Sequence, residues 1–152
     1  VPMHLCWDHE PDWPVKVVPV AVNVIQHPLP TALRCWKLGQ AIRKAVESYP
    51  EDTKVVVLGT GGMSHQLNGA RFGFLNSDFD QDFLDKIEND PIALTKLTHQ
   101  KIMEDAGAEA VELIMWLTMR GALDGASIRQ VHRNYYAPMT TGMGLIALEE
   151  AV

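Results

Sequence analysis

The amino-acid sequence predicts an α/β fold in which a mixed or largely parallel sheet is flanked by helices. The first observation is a valine-rich run at residues 15–25, which is typical of a buried strand. The second is a helical spacing of apolar residues at 32–49, and the third is another apolar run at 53–58. A strand, a helix and a strand in this order form a βαβ unit, so we expect a parallel pair with a right-handed crossover. The strand order is not determined by the sequence.

Local signals define the ends of the other elements. Thr31 is placed to cap the first helix, and Pro50 to stop it. Pro91 is suited to begin a helix and Gly107 to end one. The second half is therefore predicted to contain helices at 78–87, 91–106 and 108–123, followed by strands at 127–136 and 141–148.

Composition and charge exclude several classes of function. With 47% hydrophobic residues, the 152-residue chain is long enough to bury the core of one domain. The net charge of −6 and the absence of a Lys/Arg cluster argue against a nucleic-acid partner. No apolar run has the length of a membrane span, no signal peptide is recognisable, and two cysteines fit a reducing compartment. We expect a cytoplasmic protein with no membrane partner.

A glycine-rich segment, GTGGMSHQLNG at residues 59–69, follows the apolar run and displays His65. Loops beyond the carboxyl ends of strands are where open α/β sheets bind ligands, and a histidine there can move protons near neutral pH. The alternative is a tight connection with an incidental histidine. Spacing alone favours this alternative, because glycine-rich turns are common.

Glu112 lies in a segment that is apolar nearly all round and is predicted to be a buried helix. A buried carboxylate is costly unless it is paired, protonated or bound to a metal. The alternative is a partly exposed glutamate paired with Arg120 or Arg129, and the pattern of residues alone favours it. The six histidines lack the spacing of a zincin site, and the templates of a nucleophile elbow, a P-loop and a dinucleotide site also fail. His27 is a candidate for lining a pocket.

Taken together, four segments resemble the type III (LigB-like) extradiol ring-cleavage dioxygenases, and the resemblance runs over essentially the whole chain. GTGGMSHQL at 59–67 resembles the motif around the acid–base histidine of that family, and QHPLP at 26–30 resembles a loop after an earlier strand. EAVE at 109–112 resembles the segment that supplies the metal carboxylate, and YYAPMTT at 135–141 resembles the strand near the aromatic substrate.

The resemblance implies a non-haem Fe(II) centre held by two histidines and one glutamate, with open positions for substrate and O2. Glu112 matches the metal glutamate, His65 the acid–base residue and Thr140 a substrate-contacting position. The two histidine ligands are expected in segments near the start of a family member, and His4, His9 and His27 do not match them. We therefore interpret residues 1–152 as one segment, the C-terminal part of a catalytic domain that is active only with N-terminal histidine ligands.

The implied reaction is ring opening of a catechol-type aromatic acid with O2. Gallate is favoured as the substrate on the segment PMTT at 138–141, and the β subunit of a protocatechuate 4,5-dioxygenase is the alternative. Members of the family commonly form homodimers or αβ complexes, so one of these assemblies is expected. A non-catalytic LigB-like module that binds an aromatic acid or a partner is a second alternative.

Overall fold

A computed structural model of the chain describes residue 7 and residues 12–151. The helices are α1 (Ala32–Glu47), α2 (Ser77–Asn89), α3 (Pro91–Leu94), α4 (His99–Ala106) and α5 (Ile114–Gly121), with 3₁₀ turns at Gly69–Arg71 and Ala108–Leu113. The strands are β1 (Ile128–Tyr136) and β2 (Met143–Glu150). Within this described part, no helix combines the length and apolarity needed to cross a membrane.

The first helix begins as the sequence predicts. The Oγ1 of Thr31 accepts a hydrogen bond from the backbone N–H of Arg34 at 3.2 Å, which satisfies one of the free donors of the first turn. At the other end, the backbone N–H of Ser48 donates to Lys44, and the helix ends at Glu47, two residues earlier than predicted. The N-cap of α1 is thus confirmed.

The core forms where α1 packs against α5 at very short range. A Cβ placed on Gly39 would lie 2.2 Å from the carbonyl oxygen of Thr118. A Cβ placed on Gly121 would lie 2.3 Å from the carbonyl oxygen of Trp36. The two helix backbones therefore touch. The ring of Trp116, from α5, packs edge-on against the ring of Phe83 from α2, with centroids 6.0 Å apart.

Two predicted helices are divided in the structure. The segment 91–106 forms α3 and α4, because the Oγ1 of Thr98 caps a new helix by accepting from the N–H of Lys101. The segment 108–123 begins as the 3₁₀ turn Ala108–Leu113 and becomes α-helical only at Ile114. Tight 3₁₀ winding is common at the N-terminus of an α-helix, and here it includes Glu112.

The two predicted C-terminal strands are confirmed, and the structure pairs them antiparallel, in a register that runs from Ile128 opposite Glu150 to Tyr136 opposite Met143. The segments 15–25 and 53–58 are not strands: no ladder is formed by them with any described residue, and Val18 and Val56 are 85% and 70% exposed. An extended segment becomes a strand only when a neighbour pairs its N–H and C=O groups. The described part of the chain therefore consists of helices and a small antiparallel sheet, and the expected parallel pair of strands is not found in it.

The contact between α1 and α5 yields a first prediction. Gly39→Ala is expected to lower the free energy of unfolding by about 1–3 kcal/mol, because the added methyl group must push backbone atoms of α5 away. Lys37→Ala, at an exposed position of the same helix, should change it by less than about 0.5 kcal/mol. Urea unfolding of both variants measures the effect, and equal stability of the two would contradict the contact.

Candidate functional site

Residues 59–66, called the glycine loop below, are held from two sides. On one side, the N–H of Met63 donates to the carbonyl of Gly142 at 2.9 Å, and the N–H of Gly142 donates to the carbonyl of Ser64 at 2.8 Å. On the other side, the N–H of His65 donates to the carbonyl of Ala106, the last residue of α4, at 2.8 Å. The loop is therefore fixed between the end of α4 and the start of β2.

His65 is buried, with 5% of its surface exposed. Its Nδ1 lies 2.7 Å from the carbonyl oxygen of Met63. Because a carbonyl oxygen can only accept, this hydrogen bond assigns the ring proton to Nδ1 and leaves a lone pair on Nε2. The ring also lies against Gly62, where a Cβ would be 2.9 Å from its Cε1. In the neutral form of the ring, this hydrogen bond thus leaves Nε2 as the nitrogen that can accept a proton.

Glu112 lies beside the same glycines. Its Oε2 accepts a hydrogen bond from the backbone N–H of Gly62 at 2.9 Å, and a Cβ on Gly61 would lie 2.7 Å from the Glu112 Cβ. The side chain is half-buried. Gly62 therefore contacts both Glu112 and the imidazole of His65, so the structure brings the two predicted residues to one place.

The arginines proposed as alternative partners of Glu112 are engaged elsewhere. Arg120 donates through Nε to the carbonyl of Ile87 at 2.9 Å, and burial lowers the pKa of its guanidinium. Arg129 forms an ion pair with Glu149. The prediction that an arginine neutralises Glu112 is therefore wrong for both candidates.

The donor set at this place can be compared with the needs of an Fe(II) ion. A carboxylate oxygen is a suitable ligand, and the hydrogen bonds of the described chain leave Oε1 of Glu112 without a donor. No group of three or more His, Cys, Asp or Glu side chains placed to hold a metal occurs among the described residues. Glu112 is therefore a candidate iron ligand at this place, and the source of the histidine ligands stays a prediction.

Thr140 precedes β2 and is half-buried. The Cγ2 of Thr140 lies 3.9 Å from the position that a Cβ would take on Gly73. The Cγ2 of Thr141 lies 3.1 Å from the position that a Cβ would take on Gly62. Thr141 therefore lies beside Gly62, and it also forms a β-bridge with His65. The role of Thr140 in contacting substrate stays a prediction.

A buried carboxylate at the site was missed by reasoning from the sequence. Asp80 is completely buried and accepts hydrogen bonds from the Ser64 N–H at 2.8 Å, the Ser64 hydroxyl at 2.6 Å and the Tyr135 hydroxyl at 2.8 Å. The sequence predicts only that Asp80 lies within a helix at 78–87. The spacing of Asp80 with Phe83, Leu84 and Ile87 on the buried face of α2 is the signal that could have found it.

The other histidines lie apart from the glycine loop. His27 is exposed, and His132 is exposed on β1. The Nε2 of His99 lies 2.8 Å from the carbonyl oxygen of Pro30, so His99 is bound to a loop. His4 and His9 fall outside the described residues. An open groove of about 770 Å³ follows α1 and is lined by Leu29, Cys35 and their neighbours, away from His65.

Similarities to known proteins agree with these features. The family described as the catalytic LigB subunit of aromatic ring-opening dioxygenase matches residues 1–146. A gallate dioxygenase of Pseudomonas putida is 48% identical over 148 residues, which are 97% of this chain and 43% of that protein. A 2,3-dihydroxyphenylpropionate/2,3-dihydroxicinnamic acid 1,2-dioxygenase of Pseudomonas putida is 28% identical over 81% of this chain and 53% of its own length. The chain thus spans about half the length of these relatives.

The hydrogen bond from Tyr135 to Asp80 leads to a prediction on pH dependence. Burial, and to a smaller degree Asp80, raises the pKa of the Tyr135 phenol above its ordinary value of 10.0. A raised folded-state pKa gives stabilisation that is complete below pH 10 and is lost as pH rises through the folded value. Tyr135→Phe should therefore cost about 1–3 kcal/mol of unfolding free energy at pH 8, and less at pH 11.

Urea unfolding at both pH values measures this difference. Tyr136→Phe is the matched control, because Tyr136 is the next residue of β1 and is 67% exposed. Its effect should be small at both pH values. A cost of Tyr135→Phe that grows above pH 10 would contradict the assigned hydrogen bond.

Proposed function

This chain belongs to the LigB family of catalytic subunits of aromatic ring-opening dioxygenases, and we propose that it supplies the acid–base histidine and the metal carboxylate of an extradiol dioxygenase for a catechol-type aromatic acid. The observation that carries this proposal is the meeting of His65 and Glu112 at Gly62. Gallate is the favoured substrate, because the chain is 48% identical over nearly its whole length to a gallate dioxygenase.

The proposed task of His65 is proton transfer. The Nδ1–H is held by the Met63 carbonyl, so Nε2 is the atom that accepts a proton from a substrate hydroxyl. The burial of the ring limits competition from water for that nitrogen. Returning this proton during ring opening restores the neutral imidazole. Cleavage of the carbon–carbon bond beside the diol then incorporates both atoms of O2.

The proposed task of Glu112 is to hold Fe(II) through the oxygen that the glycine loop leaves without a donor. Its Oε2 is oriented by the Gly62 N–H, which restricts the side chain before any ligand arrives. When bound, Fe(II) would lower the pKa of the diol hydroxyls and orient the ring. A bound cation would compensate the charge of this half-buried carboxylate in its apolar segment.

We also propose that the remaining ligands come from an N-terminal part of the same catalytic domain. The length of the relatives beyond the matched region leaves room for such a part. The apolar segments 15–25 and 53–58 support it as well, because Val17, Val18 and Val56 are more than half exposed in an extended backbone without a neighbouring strand in the described chain. Pairing with further strands would cover these valines and satisfy the backbone groups.

A chimera provides the functional test. This chain replaces the matching segment of the Pseudomonas putida gallate dioxygenase, and O2 uptake is measured with gallate and with protocatechuate. His65→Phe in the chimera should lower turnover by about 10²–10⁴-fold while iron content stays unchanged, because only proton transfer is lost. His99→Gln, which alters a histidine bound to a loop, should retain turnover. Full activity of the His65 variant would remove His65 from this role.

Iron content tests the carboxylate separately. Glu112→Gln should weaken iron binding of the chimera by at least about tenfold, since even changes in groups that support metal ligands cost that much. Glu109→Gln is a matched control, because Glu109 lies in the same 3₁₀ turn and its Oε2 also accepts from the glycine-rich segment, at the N–H of Leu67. Equal iron loss in both variants would refute the assignment of Glu112.

A further inference from the structure

We propose that Asp80 is a positioning residue for His65 and acts through the single peptide group that joins Met63 to Ser64. The N–H of this peptide donates to Asp80 Oδ1 at 2.8 Å, and its carbonyl oxygen lies 2.7 Å from His65 Nδ1. Carboxylate, peptide and imidazole thus form a continuous chain of two hydrogen bonds. The consequence for catalysis rests on the proposed function of His65, but the arrangement itself does not.

The carboxylate at the start of this chain is firmly held. Asp80 is fully buried, and its other hydrogen bonds come from the hydroxyls of Ser64 and Tyr135, at 2.6 and 2.8 Å. All three groups donate to the carboxylate oxygens, so both oxygens of Asp80 are engaged as acceptors. Gly142 closes the enclosure from the side of β2, since a Cβ there would lie 2.3 Å from Oδ2.

The peptide transmits the charge because its two polar groups point in opposite directions. The N–H and C=O of a trans peptide are antiparallel, so Asp80 and His65 occupy its two ends. An anionic acceptor on the N–H polarises the group and makes its carbonyl oxygen a stronger acceptor. The stronger acceptor keeps the proton on Nδ1 of His65 and leaves Nε2 free. In Ser-His-Asp triads a carboxylate contacts the imidazole directly, whereas here one peptide stands between them.

The tautomer of His65 tests the proposal without substrate or metal. Long-range ¹H–¹⁵N correlation spectra of the metal-free chimera, labelled with ¹⁵N at histidine and recorded at a pH where the ring is neutral, report which nitrogen of His65 carries the proton. In the wild type the Nδ1–H form should dominate. Asp80→Asn keeps the size and one acceptor oxygen but removes the charge, so the Nε2–H population should rise severalfold. Asp78→Asn, exposed on the same helix, should leave it unchanged.

Ser64→Ala distinguishes the contribution of the backbone N–H of Ser64 from that of its hydroxyl. This variant loses the hydroxyl hydrogen bond to Asp80 but keeps the backbone N–H that donates to Oδ1. The wild-type tautomer should persist, and a shift as large as in Asp80→Asn would overturn the route through the peptide. An unchanged tautomer in Asp80→Asn would overturn it as well.

If Asp80→Asn does not fold, the wild-type spectrum tests the proposal. A dominant Nε2–H form of His65 would contradict the hydrogen bond from Nδ1 to the Met63 carbonyl. The dioxygenase proposal is judged by O2 uptake and iron content instead. Either proposal can therefore fail while the other stands.

Discussion

The contact between the glycine loop and the turn Ala108–Leu113 is the constraint on which the rest of the site depends. A Cβ on Gly107 would lie 2.1 Å from the carbonyl oxygen of His65, and one on Gly61 would lie 2.7 Å from Glu112. Both glycines also have positive φ angles, 101° and 126°, which side-chain-bearing residues rarely adopt. Because no side chain separates the two backbones, the histidine and the glutamate are set at a short distance by the chain itself.

Two carboxylates lie near this contact, and their surroundings suit different tasks. Asp80 is fully buried and is surrounded by three donors, so it has little capacity for a further ligand. Glu112 is half-buried and receives one backbone donor, which leaves an oxygen available. Asp80 is thus placed to organise the glycine loop, whereas Glu112 keeps an oxygen that no donor of the described chain engages.

The helical part and the extended part of the chain differ in how they satisfy the backbone. Helices bond within themselves, so α1, α2 and α5 can form a core around Trp36, Phe83 and Leu117. Strands depend on neighbours that lie elsewhere in the chain. Among the described residues, β1 and β2 have this neighbour because they are adjacent hairpin strands, whereas the segments 15–25 and 53–58 form no ladder and carry exposed valines such as Val18 and Val56.

The sequence alone determined the elements that depend on local signals. Thr31 capped a helix, Pro91 began one, and the two last strands formed, since capping, proline geometry and alternation act over a few residues. The family was also readable, because its motifs are contiguous. Tertiary structure alone decided three other features. The segment 53–58 has no strand partner in the described chain, and Glu112 accepts from a backbone N–H rather than from an arginine. Asp80 is buried beneath the glycine loop. These outcomes depend on which distant groups approach one another, and no local pattern encodes that.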